Sequence, residues 1–470
     1  MTRSELFDSL VKRFGFEPTK GQRIVLSHLS ALLLSETPRP TYILRGFAGT
    51  GKTSLVSTLV KNLPSLGYGC VLLAPTGRAA KVIANLTGHT AYTIHHKIYR
   101  FGSLTDNEPS FTLAENKSKN TLFVVDEASM ISDDGYYHSL LDDLISYVFQ
   151  GNGNKLLLIG DNAQLPPVGT NESPALDLNH MKSEYDLTVA SYELTEVMRQ
   201  SMESGILANA THIRNLLNGM SANFNLSVFR TKDFANIKKL ESEDVQERFF
   251  QDFNEDNGCD SVIICKTNKR ANMFNQSIRN RILNIEGEIA TGDRLMVVKN
   301  NYFWKDSNNN MEFIANGDLL EIRKIRHFEE MYGFHFADVE VCLTDYENQP
   351  VFETKIILET LNSNNPALSD DEQRMLFNNV EEDYRDIPQK RERLARIKSN
   401  PWFNALQVKF AYALTCHKTQ GGQWKNVYID SCFNLRDSLD KEDIRWLYTA
   451  CTRAIEQLYL MGFKEDFFLD

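Results

Sequence analysis

GFAGTGKT, residues 46–53, has residue types and spacing that dictate a chemistry. It fits G-x-x-x-x-G-K-[ST] in full, after an apolar run and before a helical one. Gly46, Gly49 and Gly51 let backbone N–H groups converge on phosphate oxygens. Ala48, Thr50 and Ser54 complete the run that would face them. The helix N-terminus that follows favours an anion. Lys52 is placed to reach β- and γ-phosphates, and the Thr53 hydroxyl suits Mg²⁺.

Acids come next. VVDEASM, residues 124–130, ends an apolar run in Asp126 and Glu127. An aspartate at a strand tip suits a Mg²⁺ shell, and the adjacent glutamate can orient or deprotonate a water. Two neighbouring acids also serve a helix N-terminus, which welcomes negative charge. In LIGDNAQLPPVG, residues 158–169, Gln164 can hydrogen-bond both a water and a γ-phosphate, or sit in a polar loop stiffened by Pro-Pro. Arg199 in LTEVMRQS and Arg453 in YTACTRAIE read as surface ion pairs or as arginines that stabilise charge on a transferring phosphoryl group. Gln22 in FEPTKGQ carries an amide that can pair with an adenine edge.

The elements that must hold these groups are legible as short apolar runs. YILR (42–45), VLLA (71–74), LFVVD (122–126) and LLLIGD (156–161) read as strands buried on both faces. An open parallel α/β sheet places ligands beyond the carboxyl ends of such strands. Apolar runs resume at VIIC (262–265), VYID (427–430) and LYLM (458–461), which predicts a second α/β domain with a long insertion. GDRLMVVKN (292–300) and NGDLLEI (316–322) read as β segments of a small barrel. The charged stretch 370–398 reads as helix with a solvated face. Between Ile98 and Asn120, aromatic residues flank a Thr-Asp-Asn-Glu-Pro turn in the pattern of an isolated hairpin. A lone hairpin is marginally stable, so it must lean on a neighbour.

Taken together, the stretches resemble superfamily 1 DNA helicases, most closely the RecD/Dda-like branch. The run is FEPTKGQ, GFAGTGKT, APTGRAAK (74–81), TIHHKIY (93–99), VVDEASM, GDNAQLPPVG, LTEVMRQS, CKTNKRANMFN (265–275), ALTCHKTQGGQW (413–424) and YTACTRA. It covers residues 16 to 454, and the combination is specific where most single members are not. The resemblance implies an α/β chain of two RecA-like P-loop domains with parallel sheets and ATP in the cleft between them. It implies a first domain at 1–97 and 120–200, a pin hairpin at 98–119, a second domain at 201–304 and 401–470, and an SH3-like β-barrel insertion at 305–400. It carries Gln22 to adenine, Lys52 and Thr53 to phosphate and Mg²⁺, and Asp126 to Mg²⁺. It carries Glu127 to the attacking water, Gln164 to the γ-phosphate, and Arg199 and Arg453 to transition-state charge. Pro75, Thr76, His95, Thr415 and His417 match positions lining a single-strand track, and Phe101 or Phe111 matches a strand-separating wedge. The activity implied is ATP-driven unwinding of DNA in the 5′→3′ direction, with single strands and duplex junctions as partners. A translocase that remodels protein–DNA complexes is the alternative, and RNA stays open as a substrate.

Composition is compatible with that expectation. The chain has 470 residues, 42% apolar and 24% charged, enough for several domains with cores. Its formal net charge is −11. A local groove, not the sum, decides nucleic-acid binding. No apolar run reaches the roughly 18 residues of a membrane span. The first residues, MTRSELFDSLVKRF, carry acids and do not read as a signal peptide. Seven scattered cysteines with no C-x-x-C pair indicate neither a disulfide framework nor a zinc site. A reducing cytoplasm is the expected setting.

Overall fold

The computed structural model describes residues 2–101, 111–133, 139–167, 169–196, 204–217, 226–254, 260–304, 314–344, 350–433 and 437–469. The side chains of Phe101 and Phe111 lie outside that description.

The apolar runs of the first half form one parallel sheet. Its strand order is Ala91–Thr93, Gly69–Ala74, Thr121–Val125, Lys155–Gly160, Pro40–Gly46 and Thr188–Leu194. Strands Thr121–Val125 and Lys155–Gly160 are buried along their whole length, as continuous apolar runs require. Two core clusters lie on opposite faces of this sheet. One gathers Leu6, Leu26, Leu55, Leu59 and Val124; the other gathers Ile43, Phe123, Leu144 and Leu158. Alternate residues of one strand feed opposite clusters, as the period of two demands.

A second parallel sheet has the order Ala413–Thr415, Ser261–Cys265, Trp424–Asp430, Ala454–Met461 and Ile237–Leu240. The fold is thus two RecA-like domains, as the resemblance implied. The predicted strands at 262–265, 427–430 and 458–461 all lie in this sheet.

The insertion is a closed barrel of Arg294–Val297, Leu319–Met331, Phe334–Leu343, Val351–Ile357 and Leu406–Phe410. Its first and last strands lie outside the span 305–400 expected for it. The reason is closure: Leu406–Phe410 pairs with Arg294–Val297 on one side and with Val351–Ile357 on the other. A barrel has no edge, so both flanks of the insertion must enter it. The charged stretch forms helices Asp370–Glu382 and Lys390–Lys398. They are not wholly solvated. Leu376, Val380, Leu394 and Ile397 pack onto Phe334, Phe336 and Ile357 of the barrel.

The hairpin is present as Tyr99–Phe101 paired antiparallel with Phe111–Leu113. It leans on the first domain, as a small ribbon must. Tyr99 donates its hydroxyl to Asp143 Oδ2 at 2.8 Å, and Leu113 packs on the cluster around Ile98 and Leu144.

Candidate nucleotide and nucleic-acid site

Sheet order explains the nucleotide site. Strands Pro40–Gly46, Lys155–Gly160 and Thr121–Val125 are neighbours, so the phosphate loop, Asp161 and Asp126 emerge side by side from their carboxyl ends. Gly49 and Gly51 adopt φ of 77° and 83°, where a side chain is strained. A Cβ on Gly51 would also lie 2.6 Å from Gln22 Nε2. Helix Lys52–Asn62 begins at Gly51 with no side-chain cap, which leaves its first N–H groups available to an anion. Lys52 Nζ donates to the Gly46 carbonyl and, at 3.0 Å, to that of Phe47. Thr50 donates its N–H at 3.3 Å and its hydroxyl at 2.8 Å to the same Phe47 carbonyl, which sets the curve of the loop. Ala48 and Thr53 are half-buried, and Ser54 is exposed.

Gln22 is buried beneath this loop. Its Nε2 donates to the Thr50 carbonyl at 3.1 Å, and its Oε1 accepts the Thr19 N–H at 3.0 Å. The side chain therefore braces the phosphate loop and caps its own helix, roles that adenine pairing did not anticipate.

Three acids face Lys52: Asp161 is buried, and Asp126 and Glu127 are half-buried. Asp126 Oδ1 accepts the Glu127 N–H at 2.9 Å. Glu127 itself sits at φ 51°, a left-handed conformation uncommon outside glycine and Asn-like residues. Burial pushes the carboxyls of Asp126 and Asp161 up, against the pull of Lys52. Burial also pushes Glu127 up to about 7; Arg453 opposes this and Asp126 adds to it. Three carboxylates against the two charges of Lys52 and Arg453 leave a site that suits a further cation. Carboxylate and hydroxyl oxygens are the donor set that Mg²⁺ takes, so Asp126 with Thr53 fits it.

The second domain closes over the loop through helix Lys441–Cys451. Tyr448 accepts the Ala48 N–H at 3.0 Å and donates to Asp161 Oδ2 at 2.6 Å. Thr449 Oγ1 accepts the Leu165 N–H at 2.9 Å, and Gln420 Nε2 donates to the Leu165 carbonyl at 2.7 Å. Phe47 packs among second-domain core residues, with the Arg214 guanidinium 4.1 Å from its ring centroid. Arg453 is only 4% exposed, so it is no surface ion pair. Its Nε donates to the Thr449 carbonyl at 3.0 Å, and its charge acts on both Glu127 and Asp161. Gln164 is buried, with its Oε1 unpartnered among the described residues. Arg199 lies outside the described residues. Asp161 and Tyr448 were not singled out from sequence, although GDN at a strand tip beside Asp126 was a signal for the first.

The candidate strand-track residues also sit at strand ends. Pro75 and Thr76 follow Gly69–Ala74, and Thr76 caps helix Gly77–Thr87 by accepting the Ala79 N–H at 3.2 Å. His95 lies in the short helix after Ala91–Thr93, its ring 5.7 Å from that of Tyr99. Burial lowers the pKa of both His95 and His417, which favours neutral rings. Thr415 ends strand Ala413–Thr415, and His417 follows in a 3-10 turn. Across the domain boundary it is Gly421, four residues after His417, that meets Thr76 and Ala79. A Cβ on Gly421 would lie 3.4 Å from Thr76 Oγ1 and 2.7 Å from Ala79 Cβ. The barrel approaches the same corner: a Cβ on Gly77 would lie 2.2 Å from Asp318 Oδ1.

Two parallel α/β domains bring a phosphate loop, a set of acids and an arginine of the opposite domain into one cleft, the arrangement of a P-loop nucleotide site. A family model described as an AAA domain matches residues 20–224, and one described as a UvrD-like helicase C-terminal domain matches residues 410–461. An uncharacterized protein of Acanthamoeba polyphaga mimivirus is 25% identical over 94% of this chain and 99% of its own length. The ATP-dependent RecD2 DNA helicase of Deinococcus radiodurans is 30% identical over 41% of this chain and 24% of its own length. The ATP-dependent DNA helicase dda of Enterobacteria phage T4 is 28% identical over 54% of this chain and 55% of its own length. The match thus spans about a quarter of one named helicase and about half of the other. The chain is thus similar to superfamily 1 helicases of the RecD/Dda-like branch. No helix among the described residues is long and apolar enough to cross a membrane.

Proposed function

We propose that this chain is an ATP-dependent DNA helicase that moves 5′→3′ on single-stranded DNA and couples hydrolysis to unwinding at duplex junctions. The carrying observation is the closed cleft, in which Tyr448 of the second domain bonds Ala48 of the phosphate loop and Asp161 at the strand tip of the first. Phosphoryl transfer needs charge stabilisation and an oriented water more than covalent chemistry. Lys52 and the loop N–H groups hold the phosphates. Glu127 orients and deprotonates the attacking water, and Gln164 links that water to the γ-phosphate. Arg453, with Arg199, stabilises the charge that spreads over the γ-phosphate oxygens. Thr53 and Asp126 would hold Mg²⁺, which would supply charge neutralisation to the bound phosphates. Gln22 at the base of the loop serves the adenine side.

Pro75, Thr76, His95, Thr415 and His417 grip the strand. The glycine pair in CHKTQGGQW lets the second domain approach helix Gly77–Thr87 closely enough for both grips to feel one cleft. ATP closes the cleft and hydrolysis opens it, so the grips alternate by differential contact with nucleotide. Each base-pair step opened costs about 1.4 kcal/mol of stacking.

The deciding experiment is ATP hydrolysis with and without single-stranded DNA, followed by strand displacement on 5′- and 3′-tailed duplexes. DNA-stimulated hydrolysis and displacement only from a 5′ tail are expected. Hydrolysis indifferent to DNA would overturn the reading. Stimulated hydrolysis without displacement would leave the remodelling translocase.

A further inference from the structure

We infer that Tyr448 is a positioning residue that transmits closure of the cleft to the phosphate loop; this rests on the nucleotide-site reading above. Its hydroxyl joins three separate segments. It accepts the N–H of Ala48, the third residue of the loop, at 3.0 Å and donates to Asp161 Oδ2 at 2.6 Å. Tyr448 belongs to the second domain, while Ala48 and Asp161 belong to the first. One hydroxyl therefore satisfies a loop donor and a strand-tip acceptor, but only while the domains are together.

The surroundings make this contact two-state. Tyr448 has no exposed surface, and its hydroxyl is held protonated by burial first and by Asp161 second. It stays a donor at any working pH. Asp161 Oδ1 is meanwhile occupied by the Ala163 N–H at 2.9 Å. Opening the cleft strips Asp161 Oδ2 and Ala48 N–H of a shared partner at the same moment. Interfaces of this kind switch between discrete arrangements and do not deform continuously. Asp161 raises the Glu127 carboxyl through its charge and is itself under the field of Lys52 and Arg453. Fixing Asp161 thus fixes the electrostatic setting of the groups proposed to act on the γ-phosphate. Ala48, held at the same instant, fixes the near side of the loop.

A buried tyrosine needs hydrogen-bond partners in any core, so packing alone is the competing account. The two separate in kinetics. Packing loss lowers thermal stability, whereas loss of a closure signal lowers turnover at saturating ATP.

The test uses the full chain with single-stranded DNA and compares wild type, Tyr448→Phe, Asp161→Asn and the double variant. Wild-type DNA-stimulated hydrolysis must be seen first; its absence would sink the functional reading, not this one. For Tyr448→Phe we expect kcat to fall tenfold or more, KM for ATP to stay within twofold, and more ATP to be spent per base pair opened. The double variant should be no slower than the slower single, because Tyr448→Phe removes the bond that Asp161→Asn weakens, the loss of the Asp161 charge being common to Asp161→Asn and the double. An unchanged kcat, a melting temperature that falls while kcat holds, or single effects that multiply in the double would each overturn the inference. If Tyr448→Phe does not fold, Asp161→Asn carries the same KM-against-kcat test.

Discussion

The Arg78 guanidinium lies over the Trp424 indole, 3.7 Å from the ring centroid, and its Nη2 donates to the Gln423 carbonyl at 2.9 Å. This contact ties the helix after Thr76 to the segment CHKTQGGQW. Arg78→Ala removes a cation–π contact worth about 0.5–2 kcal/mol. That shifts domain closure by roughly 2- to 30-fold, and DNA stimulation of hydrolysis should fall within that range. Gly421→Ala should do more. Its φ is 73° and its new Cβ would meet Ala79 Cβ at 2.7 Å, so the domains must part. Fluorescence transfer between labels on the two domains, read with and without nucleotide, checks both variants. Wild-type closure in Gly421→Ala would show that the contact does not govern it.

Lys52→Ala should abolish hydrolysis while single-strand binding persists, because the strand-track residues lie on other strand ends. Glu127→Gln keeps shape and loses the proton acceptor. ATP should still bind, with turnover lowered on the order of 10²- to 10⁴-fold. Nucleotide binding and single-turnover hydrolysis separate the two. Loss of ATP binding in Glu127→Gln would assign that residue to the architecture of the site.

Legibility from sequence followed locality. The phosphate loop is one contiguous stretch, and its strand is a continuous apolar run, so both were plain. The edge strand Thr188–Leu194 was not, because one flank faces solvent and its burial is mixed. Arg294–Val297 was read as a barrel segment, but its partner Leu406–Phe410 escaped because the two pair across a long insertion, and short strands do not name their partners. Asp161 and Tyr448 meet over 287 positions of sequence. Arg453 taken alone left a surface ion pair open beside its role at the phosphates for the same reason: what buries it is the closed cleft. Gln22 was given a ligand role, but its brace on Thr50 depends on where the loop turns.

Lys418, in the middle of CHKTQGGQW, gives a pH prediction. Its ammonium is buried with no hydrogen-bond partner among the described residues, and burial, with Lys409 nearby, pushes its pKa down to about 8. An unfolded lysine titrates near 10.4. Between these values the unfolded chain binds more protons, so stability rises with pH through that window. Below about pH 8 the full penalty of a buried charge is present. Lys418→Met should raise stability at pH 7 by on the order of 1–3 kcal/mol and flatten the rise toward pH 10. Thermal melts from pH 7 to 10 measure this. An unchanged pH slope would mean that Lys418 finds a partner in solution.

The hairpin carries the last prediction. Phe101 and Phe111 are register partners in a ribbon whose base is fixed by the Tyr99–Asp143 bond and by the Ala114 N–H donated to Ile98 O at 2.7 Å. A ribbon anchored at its base can bear load at its tip. Aromatic faces stack on bases for about 1–3 kcal/mol, comparable to the step being opened. If one ring is the wedge, Phe101→Ala or Phe111→Ala should weaken unwinding while single-strand translocation and DNA-stimulated hydrolysis hold. If the rings pack against the first domain, all three activities should fall together with melting temperature. Tyr99→Phe is the control for the anchor: it removes the Asp143 bond without touching either ring, and it should reduce unwinding only as far as the ribbon loosens. Unchanged unwinding in both phenylalanine variants would take the aromatics out of the mechanism and leave strand separation to the ribbon's backbone.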